Sequence, residues 1–297
     1  MTPAPASSPS AVSPQDRAPN RYAIGGTVID VPHLAGGLYV VATPIGNLGD
    51  ITLRALATLA GADLIACEDT RVTRKLLGRY GISTPLTAYH DHNAAKARPM
   101  LLRRLAEGAA IALVSDAGTP LVSDPGYKLV CAAQDAGRAV TALPGASALL
   151  AALAVAGLPT DQFLFAGFLP PKQAARRARI AELAPIPSTI VLFETGHRLA
   201  AALADLAAGL GPRDAAVCRE LTKLHEEIRR GDLDALAQGA GTGEVRGEIV
   251  LVIGPPPASP QPSADDTEAL LREVLARSSL KDAVAEIAET TGLPRRP

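Results

Sequence analysis

At 297 residues, 47% of them hydrophobic, the chain is long enough to bury a core in each of two ordinary domains. A formal net charge of −1 removes any global attraction to phosphate backbones or anionic lipid, so a nucleic-acid contact has to be a local patch. The cysteines Cys67, Cys131 and Cys218 stand far apart without a C-x-x-C pair, which argues against structural zinc and a disulfide framework and fits a reducing cytosol.

Residues 1–36 read as a disordered N-terminal tail, Pro/Ala/Ser-rich through Asn20, without the pattern of a signal peptide or a membrane span. From Leu38 short apolar runs alternate with amphipathic windows, the signature of βαβ units around a parallel sheet. Strands are expected at 38–42, 64–67, 86–89, 110–115 and 139–143, and helices at 52–60, 70–80, 93–107 and 125–136. Asp124 would cap the last helix and Pro125 would open its first turn. These elements make an α/β domain over 37–144. A second α/β domain over 145–254 starts with a small-residue helix at 147–156, followed by strands at 163–166, 189–193, 215–219, 226–230 and 248–253. The gap between 219 and 226 is too short for a crossover helix, so those two strands should pair as a hairpin in a mixed sheet. Residues 255–263 read as a linker. Beyond them, 264–297 reads as a helical tail module with helices at 265–277 and 280–290, Ser279 capping the second.

In an open parallel sheet, ligands bind beyond the carboxyl ends of the strands. The residues there are Thr43-Pro44-Ile45-Gly46-Asn47-Leu48, Glu68-Asp69-Thr70-Arg71, His90-Asp91-His92, Ser115-Asp116-Ala117-Gly118-Thr119-Pro120 and Pro144-Gly145-Ala146-Ser147. Gly46, Gly118 and Gly145 would let main-chain groups approach a ligand. No G-x-G-x-x-G follows the first strand and no P-loop motif occurs, so ordinary dinucleotide and P-loop sites are disfavoured. Two readings of Glu68-Asp69-Thr70-Arg71 stand side by side. Either Arg71 holds a phosphate while a carboxylate accepts a proton, or Asp69 or Thr70 caps a helix and Arg71 pairs with Glu68. His90 with His92 lacks a further spaced ligand cluster, so no metal is expected. His90 reads as a polar-site donor or base, or as a hydrogen-bonded core histidine.

In the second half, Glu194-Thr195-Gly196-His197-Arg198 and Arg219-Glu220-Leu221-Thr222-Lys223 gather acids, bases and cations at strand ends, for a cleft or for inter-domain ion pairs. Lys172, Arg176, Arg177 and Arg179 form the most basic short stretch, either a mobile lid that touches phosphate or the solvated face of a helix.

Taken in order, Thr43 to Leu48, Glu68 to Arg71, Ser115 to Pro120, Ser123-Asp124-Pro125-Gly126, Gly167-Phe168-Leu169-Pro170 and Arg219 to Lys223 closely resemble one family. It is the bacterial 16S ribosomal RNA cytidine 2'-O-methyltransferases of the tetrapyrrole-methylase (class III methyltransferase) fold, and the resemblance runs from about Gly37 to Gly254. It implies S-adenosylmethionine bound in a cleft between two α/β domains, a cytoplasmic homodimer, and methylation of a cytidine ribose in the decoding region of the small subunit. Its motifs carry cofactor contacts onto Pro44, Gly46, Ser115, Asp116, Gly118, Thr119, Pro120, Val122, Ser147 and Ala148. Gly118-Thr119-Pro120 stands where corrin-methylating relatives carry Gly-Asp-Pro, which leans toward an RNA substrate. Departures are Ala146, where a proline is common, and the stop at Arg295-Arg296-Pro297, where relatives continue into another helix.

On this reading one of Glu68, Asp69, His90, Glu194 and His197 assists the ribose proton, and Arg71, Arg198 and Lys223 hold phosphate. The contacts to RNA fall on Lys172, Arg176, Arg177, Arg219, Glu220 and Lys223. The competing readings are a corrin or porphyrin methyltransferase and a non-catalytic ribosome-binding module.

Overall fold

The computed structural model describes residues 20–122, 126–240, 245–257 and 264–291. The chain enters through an antiparallel hairpin, β1 (Asn20–Ile24) and β2 (Thr27–Val31), with Asn20 opposite Val31. Its two-residue turn is Gly25-Gly26, both at positive φ (58° and 85°), which favours glycine in tight hairpins. Part of the stretch expected as tail is therefore folded. Tyr22 and Val31 are buried against the first domain, and the Ala23 N–H donates to the Tyr80 carbonyl at 2.8 Å. The Pro/Ala/Ser-rich composition ahead of the hairpin masks this short alternating segment.

The first domain continues as β3 (Gly37–Val41), α1 (Leu53–Gly61), β4 (Leu64–Cys67), α2 (Thr70–Arg79), β5 (Leu86–Ala88), α3 (Ala94–Ala106), β6 (Ala110–Val114), α4 (Tyr127–Asp135) and β7 (Val140–Leu143). Its five strands run parallel in the order β5-β4-β6-β3-β7. Every residue of β4 and β6 is buried, because helices cover both faces of the sheet. The expected Asp124 and Pro125 at the start of α4 lie outside the described residues.

Ser147 caps α5 (Ala148–Ala156), accepting the Leu150 N–H at 3.4 Å, and Gly157 ends it at φ 71°. Then come β8 (Phe163–Phe168), α6 (Gln173–Leu183), β9 (Thr189–Thr195), α7 (Leu199–Leu210), β10 (Asp214–Arg219), β11 (Glu227–Asp232), α8 (Leu233–Gly239) and β12 (Glu248–Ile253). The order is β11-β10-β12-β9-β8, with β8 and β9 parallel and the other pairs antiparallel, so the sheet is mixed and β10 and β11 form the expected hairpin. Helices α6, α7 and α8 pack on one face and α5 on the other. Ile45 of the first domain joins the α5 cluster, so an apolar contact binds the two domains beside the strand-end loops. In the tail module α9 (Ala264–Leu275) and α10 (Leu280–Thr291) meet through Val274, Ala283 and Ile287, and the Ser279 hydroxyl accepts the Asp282 N–H at 3.3 Å. Among the described residues no helix is long and apolar enough to cross a membrane.

Candidate active site

The loop after β6 is held by its own polar groups. Thr43 and Gly118 exchange two backbone hydrogen bonds of 2.9 Å, and Thr43 Oγ1 donates to the Ser115 carbonyl at 3.1 Å. Ser115 is 4% exposed, and its Oγ lies 3.2 Å from the carbonyl oxygens of both Ala117 and Gly118. Its hydroxyl therefore shapes the loop. Thr119 Oγ1 donates to the Ala146 carbonyl at 3.2 Å, joining this loop to the one before α5. Gly118 has φ 79°, and Leu121, at φ 76°, is a bulky residue in the same region, a local strain held by the surrounding structure.

Between the domains lies a cleft of about 300 Å³. Asp116, Gly118, Thr119, Val122, Ser147 and Ala148 wall it on one side. Phe193, Glu194, Glu220, Leu221, Lys223, Glu248, Ile249 and Val250 wall it on the other. Phe193 packs edge-on against Phe165 and Phe168, with ring centroids 4.8 and 5.7 Å away, so part of this wall is apolar and rigid. A second cavity of about 190 Å³ is lined by Pro44, Gly46, Val72, Thr73, Lys75, Ser115 and Asp116. Asp116 lines both spaces, whereas Pro44, Gly46 and Ser115 line only the smaller of these two. Pro120 lines neither.

Charges at the ends of β4, β5 and β6 are unequal in role. Burial pushes the Glu68 carboxyl up from its ordinary range, and the nearby carboxylates of Asp116 and Asp91 push it further, against the pull of His90. Asp69 is the opposite case. Arg71 Nη2 lies 2.6 Å from its Oδ2, and this pairing with the backbone N–H of Arg71 holds the Asp69 carboxyl down at about 2. Asp69 is the cap of α2, so the helix-cap reading is realised, with Arg71 paired to Asp69 rather than to Glu68. Asp116 Oδ1 accepts the Asp69 N–H at 3.0 Å and ties the ends of β4 and β6 together. The backbone of His90 donates to Asn93 Oδ1 at 2.9 Å, and its buried Nδ1 has no hydrogen-bond partner among the described residues.

On the facing wall Glu194 is 2% exposed. Its Oε1 accepts the Thr195 N–H at 2.8 Å and lies 3.3 Å from Arg198 Nε, while its Oε2 has no hydrogen-bond partner among the described residues. Arg198 Nη2 donates to the Leu169 carbonyl at 2.5 Å, so Arg198 braces Glu194 and β8 instead of reaching out to phosphate. His197 is exposed and lines neither cavity. Lys223 Nζ sits 2.7 Å from Glu220 Oε1 and 2.8 Å from Glu248 Oε2. Burial works against the ammonium, but these two carboxylates outweigh it and raise the Lys223 pKa. Glu220 and Thr222 occupy positive φ (51° and 67°), and Thr222 Oγ1 accepts the Asn47 N–H at 3.2 Å. The stem of Lys223 lies over Gly46, where any Cβ would overlap it. This loop therefore straps the second domain onto the first. Arg219 is committed to Glu227 at 3.0 Å and to the Arg246 carbonyl.

The expected basic lid divides. Lys172 is exposed ahead of α6, but Arg176 is 6% exposed, with Nη2 2.6 Å from Asp205 Oδ2 and Nη1 donating to the Pro171 carbonyl. Arg176 is a structural residue of the α6–α7 interface, which corrects its assignment to RNA. Arg177 shares the same carboxylate at 2.8 Å, and Arg179 pairs with Glu182 at 2.7 Å. Glu248, Ile249 and Val250, which complete the cleft, had no local signal beyond that of an apolar strand.

The family model described as Tetrapyrrole (Corrin/Porphyrin) Methylases matches residues 37–237, and the RsmI C-terminal HTH domain matches residues 261–297. A Ribosomal RNA small subunit methyltransferase I from Mesorhizobium japonicum is 52% identical over 271 residues, covering 91% of this chain and 92% of that protein. Its counterpart from Xylella fastidiosa is 48% identical over 269 residues, covering 88% and 97%. Among solved structures, a cobalt precorrin-4 methyltransferase superposes with a TM-score of 0.53 at 19% identity, over 73% of this chain and 94% of the other. The uroporphyrin-III C-methyltransferase of Thermus thermophilus complexed with S-adenosylhomocysteine gives 0.51 at 21% identity, over 74% and 97%. At these identities the likeness to solved structures is one of fold.

Proposed function

Since the chain belongs to the tetrapyrrole methylase family and, within it, to the ribosomal RNA small subunit methyltransferase I proteins, we propose that it methylates a cytidine 2'-hydroxyl of 16S rRNA with S-adenosylmethionine. The target lies in the decoding region, and the working unit is a cytoplasmic homodimer, as the sequence motifs imply. The observation that carries the reading is the pair of adjoining cavities that share Asp116 as a wall. One takes the cofactor and the other the target ribose.

The larger cleft suits such a cofactor. Its volume falls at the lower end of the range for small-ligand sites, roughly 300–1,000 Å³, and it joins an apolar wall to a few polar groups. The buried Glu194 Oε2, without a partner among the described residues, supports the fit, because it can accept a hydrogen bond from an ammonium or hydroxyl group of the cofactor. When bound, S-adenosylmethionine supplies an electrophilic methyl group on a sulfonium. The chain has to align the acceptor and take up its proton. The Ser115–Thr119 loop and Ser147 fix one side of the cleft. Glu68, at the end of β4 beside Asp116 and outside the lining of both cavities, is the carboxylate assigned to proton uptake: burial and its carboxylate neighbours make it more basic than an ordinary glutamate. Asp116 positions the Asp69 backbone beside it.

Glu194→Gln is expected to weaken S-adenosylhomocysteine binding about tenfold in calorimetry, the scale of a hydrogen bond to a charged group. Unchanged affinity would detach Glu194 from the cofactor. For the activity itself, tritiated S-adenosylmethionine should label 16S rRNA in 30S subunits that lack the modification. Label confined to a tetrapyrrole precursor would overturn the RNA reading, which Thr119 favours by standing where corrin-methylating relatives carry an acid.

A further inference from the structure

We propose that the exposed face of α2 is the track along which the phosphodiester backbone of single-stranded RNA reaches the smaller cavity, an inference that builds on the ribosomal RNA reading above. Within Thr70–Arg79 the helix carries Arg71, Arg74, Lys75 and Arg79 and no acidic residue, in a chain whose net charge is −1. All four are exposed. Arg71, Lys75 and Arg79 recur every fourth position and form one stripe, rising about 6 Å per step along the helix axis, a repeat that an extended phosphodiester chain can follow. Arg71 is held by Asp69, but Arg74, Lys75 and Arg79 have no ion-pair partner among the described residues. The basic run of α6 differs on this point, since Asp205 takes Arg176 and Arg177 and Glu182 takes Arg179. Uncompensated positive charge is what phosphate contact requires.

The placement of the stripe matches. Its first end is the cap at Asp69, hydrogen-bonded to Asp116. In the middle, Lys75 lines the smaller cavity. At its far end Arg79 lines a groove of about 850 Å³ with Gly25, Gly26, Leu48, Thr222 and Leu224. Leu48 and Leu224 are 43% and 92% exposed there, apolar surface against which an unstacked base can lie, beside turns of the β1–β2 hairpin and of the loop after β3. The groove and the smaller cavity share Gly46 and Leu48 as lining residues, so a strand laid on α2 with its target ribose in the smaller cavity places a flanking nucleotide in the groove. Phosphate contacts on α2 fix register, and the groove takes the base.

The test replaces Arg74, Lys75 and Arg79 together by Gln, leaving Arg71 intact, with Arg177→Gln/Arg179→Gln as control. Filter binding of 30S subunits and of a protein-free rRNA fragment from the decoding region is read against salt, alongside methyl transfer and S-adenosylhomocysteine binding. The triple variant should bind both RNAs about tenfold or more weaker near physiological salt, and its log–log salt slope should be shallower by about 2, roughly 0.7 per lost single-strand phosphate contact. Cofactor affinity and melting temperature should be unchanged, and the control should bind as wild type does. Wild-type RNA affinity and salt slope in the triple variant would overturn the track. So would a loss seen with 30S subunits but not with the protein-free fragment, which would mark a protein contact. Binding is read without turnover, so a wild-type protein that binds but never methylates would sink the methylation reading and leave the track standing.

Discussion

Glu68→Gln is expected to lower kcat for methyl transfer by about 10²- to 10⁴-fold, the usual range for removing a general base, with cofactor affinity within about twofold of wild type. The substitution keeps size and removes the negative charge. In the wild type kcat should rise with pH through a midpoint above the ordinary glutamate range, because burial and the carboxylates of Asp116 and Asp91 favour the protonated form. In the variant that limb should vanish. A carboxyl whose folded pKa is raised binds more protons in the folded than in the unfolded state, so stability falls as pH rises from the unfolded to the folded pKa. Glu68→Gln should therefore be at least as stable as wild type at neutral pH in thermal unfolding, while being nearly inactive. A base that also costs stability is the pattern of a functional site. Full activity of the variant would remove Glu68 from the proton path.

The largest expected effect on stability lies away from the cleft. Asp205→Ala should cost about 3–5 kcal/mol in urea unfolding, because it leaves the guanidinium of Arg176, itself 6% exposed, buried without its carboxylate. Arg176→Met in the same chain should recover most of that loss, since an apolar side chain of similar length fills the space without a charge. Burial opposes ionisation of Asp205, but hydrogen bonds from Arg177 and Arg176 outweigh it and hold its pKa below the usual value. Its contribution is thus fully present above the unfolded carboxylate pKa and is lost as pH falls through the lower folded value. A double variant no more stable than Asp205→Ala would show that the buried charge is not the cause.

Where an element's signal is local, it is legible in the sequence. β4 at Leu64–Cys67 is a short apolar run bounded by turn residues, and β12 at Glu248–Ile253 follows glycine, so both strands occur at their expected limits. The short gap after Arg219 dictates the β10–β11 hairpin. Helix α7, LAAALADLAAGL, packs beside α6 and α8 and carries alanines, not polar residues, at its exposed positions Ala200, Ala201, Ala204 and Ala208, so amphipathic pattern does not give its limits. The candidate site divides in the same way. The glycine loops at Gly46 and Gly118 mark their place at strand ends, but which cavity each one serves depends on how the domains dock. Arg176 reads as surface charge until Asp205, 29 residues away, turns it inward. In the sequence the stripe on α2 is overshadowed by the basic run at 172–179, and only the fold places Lys75 beside Asp116 at one cavity and Arg79 at the neighbouring groove.

The most direct test of the central claim is nucleoside analysis of 16S rRNA from 30S subunits lacking the modification, incubated with the purified protein and S-adenosylmethionine. One new 2'-O-methylcytidine is expected in a decoding-region fragment, absent when Glu68→Gln replaces the wild type. A methyl group on a base, or no new methylated nucleoside with a protein that still binds S-adenosylhomocysteine, would contradict it.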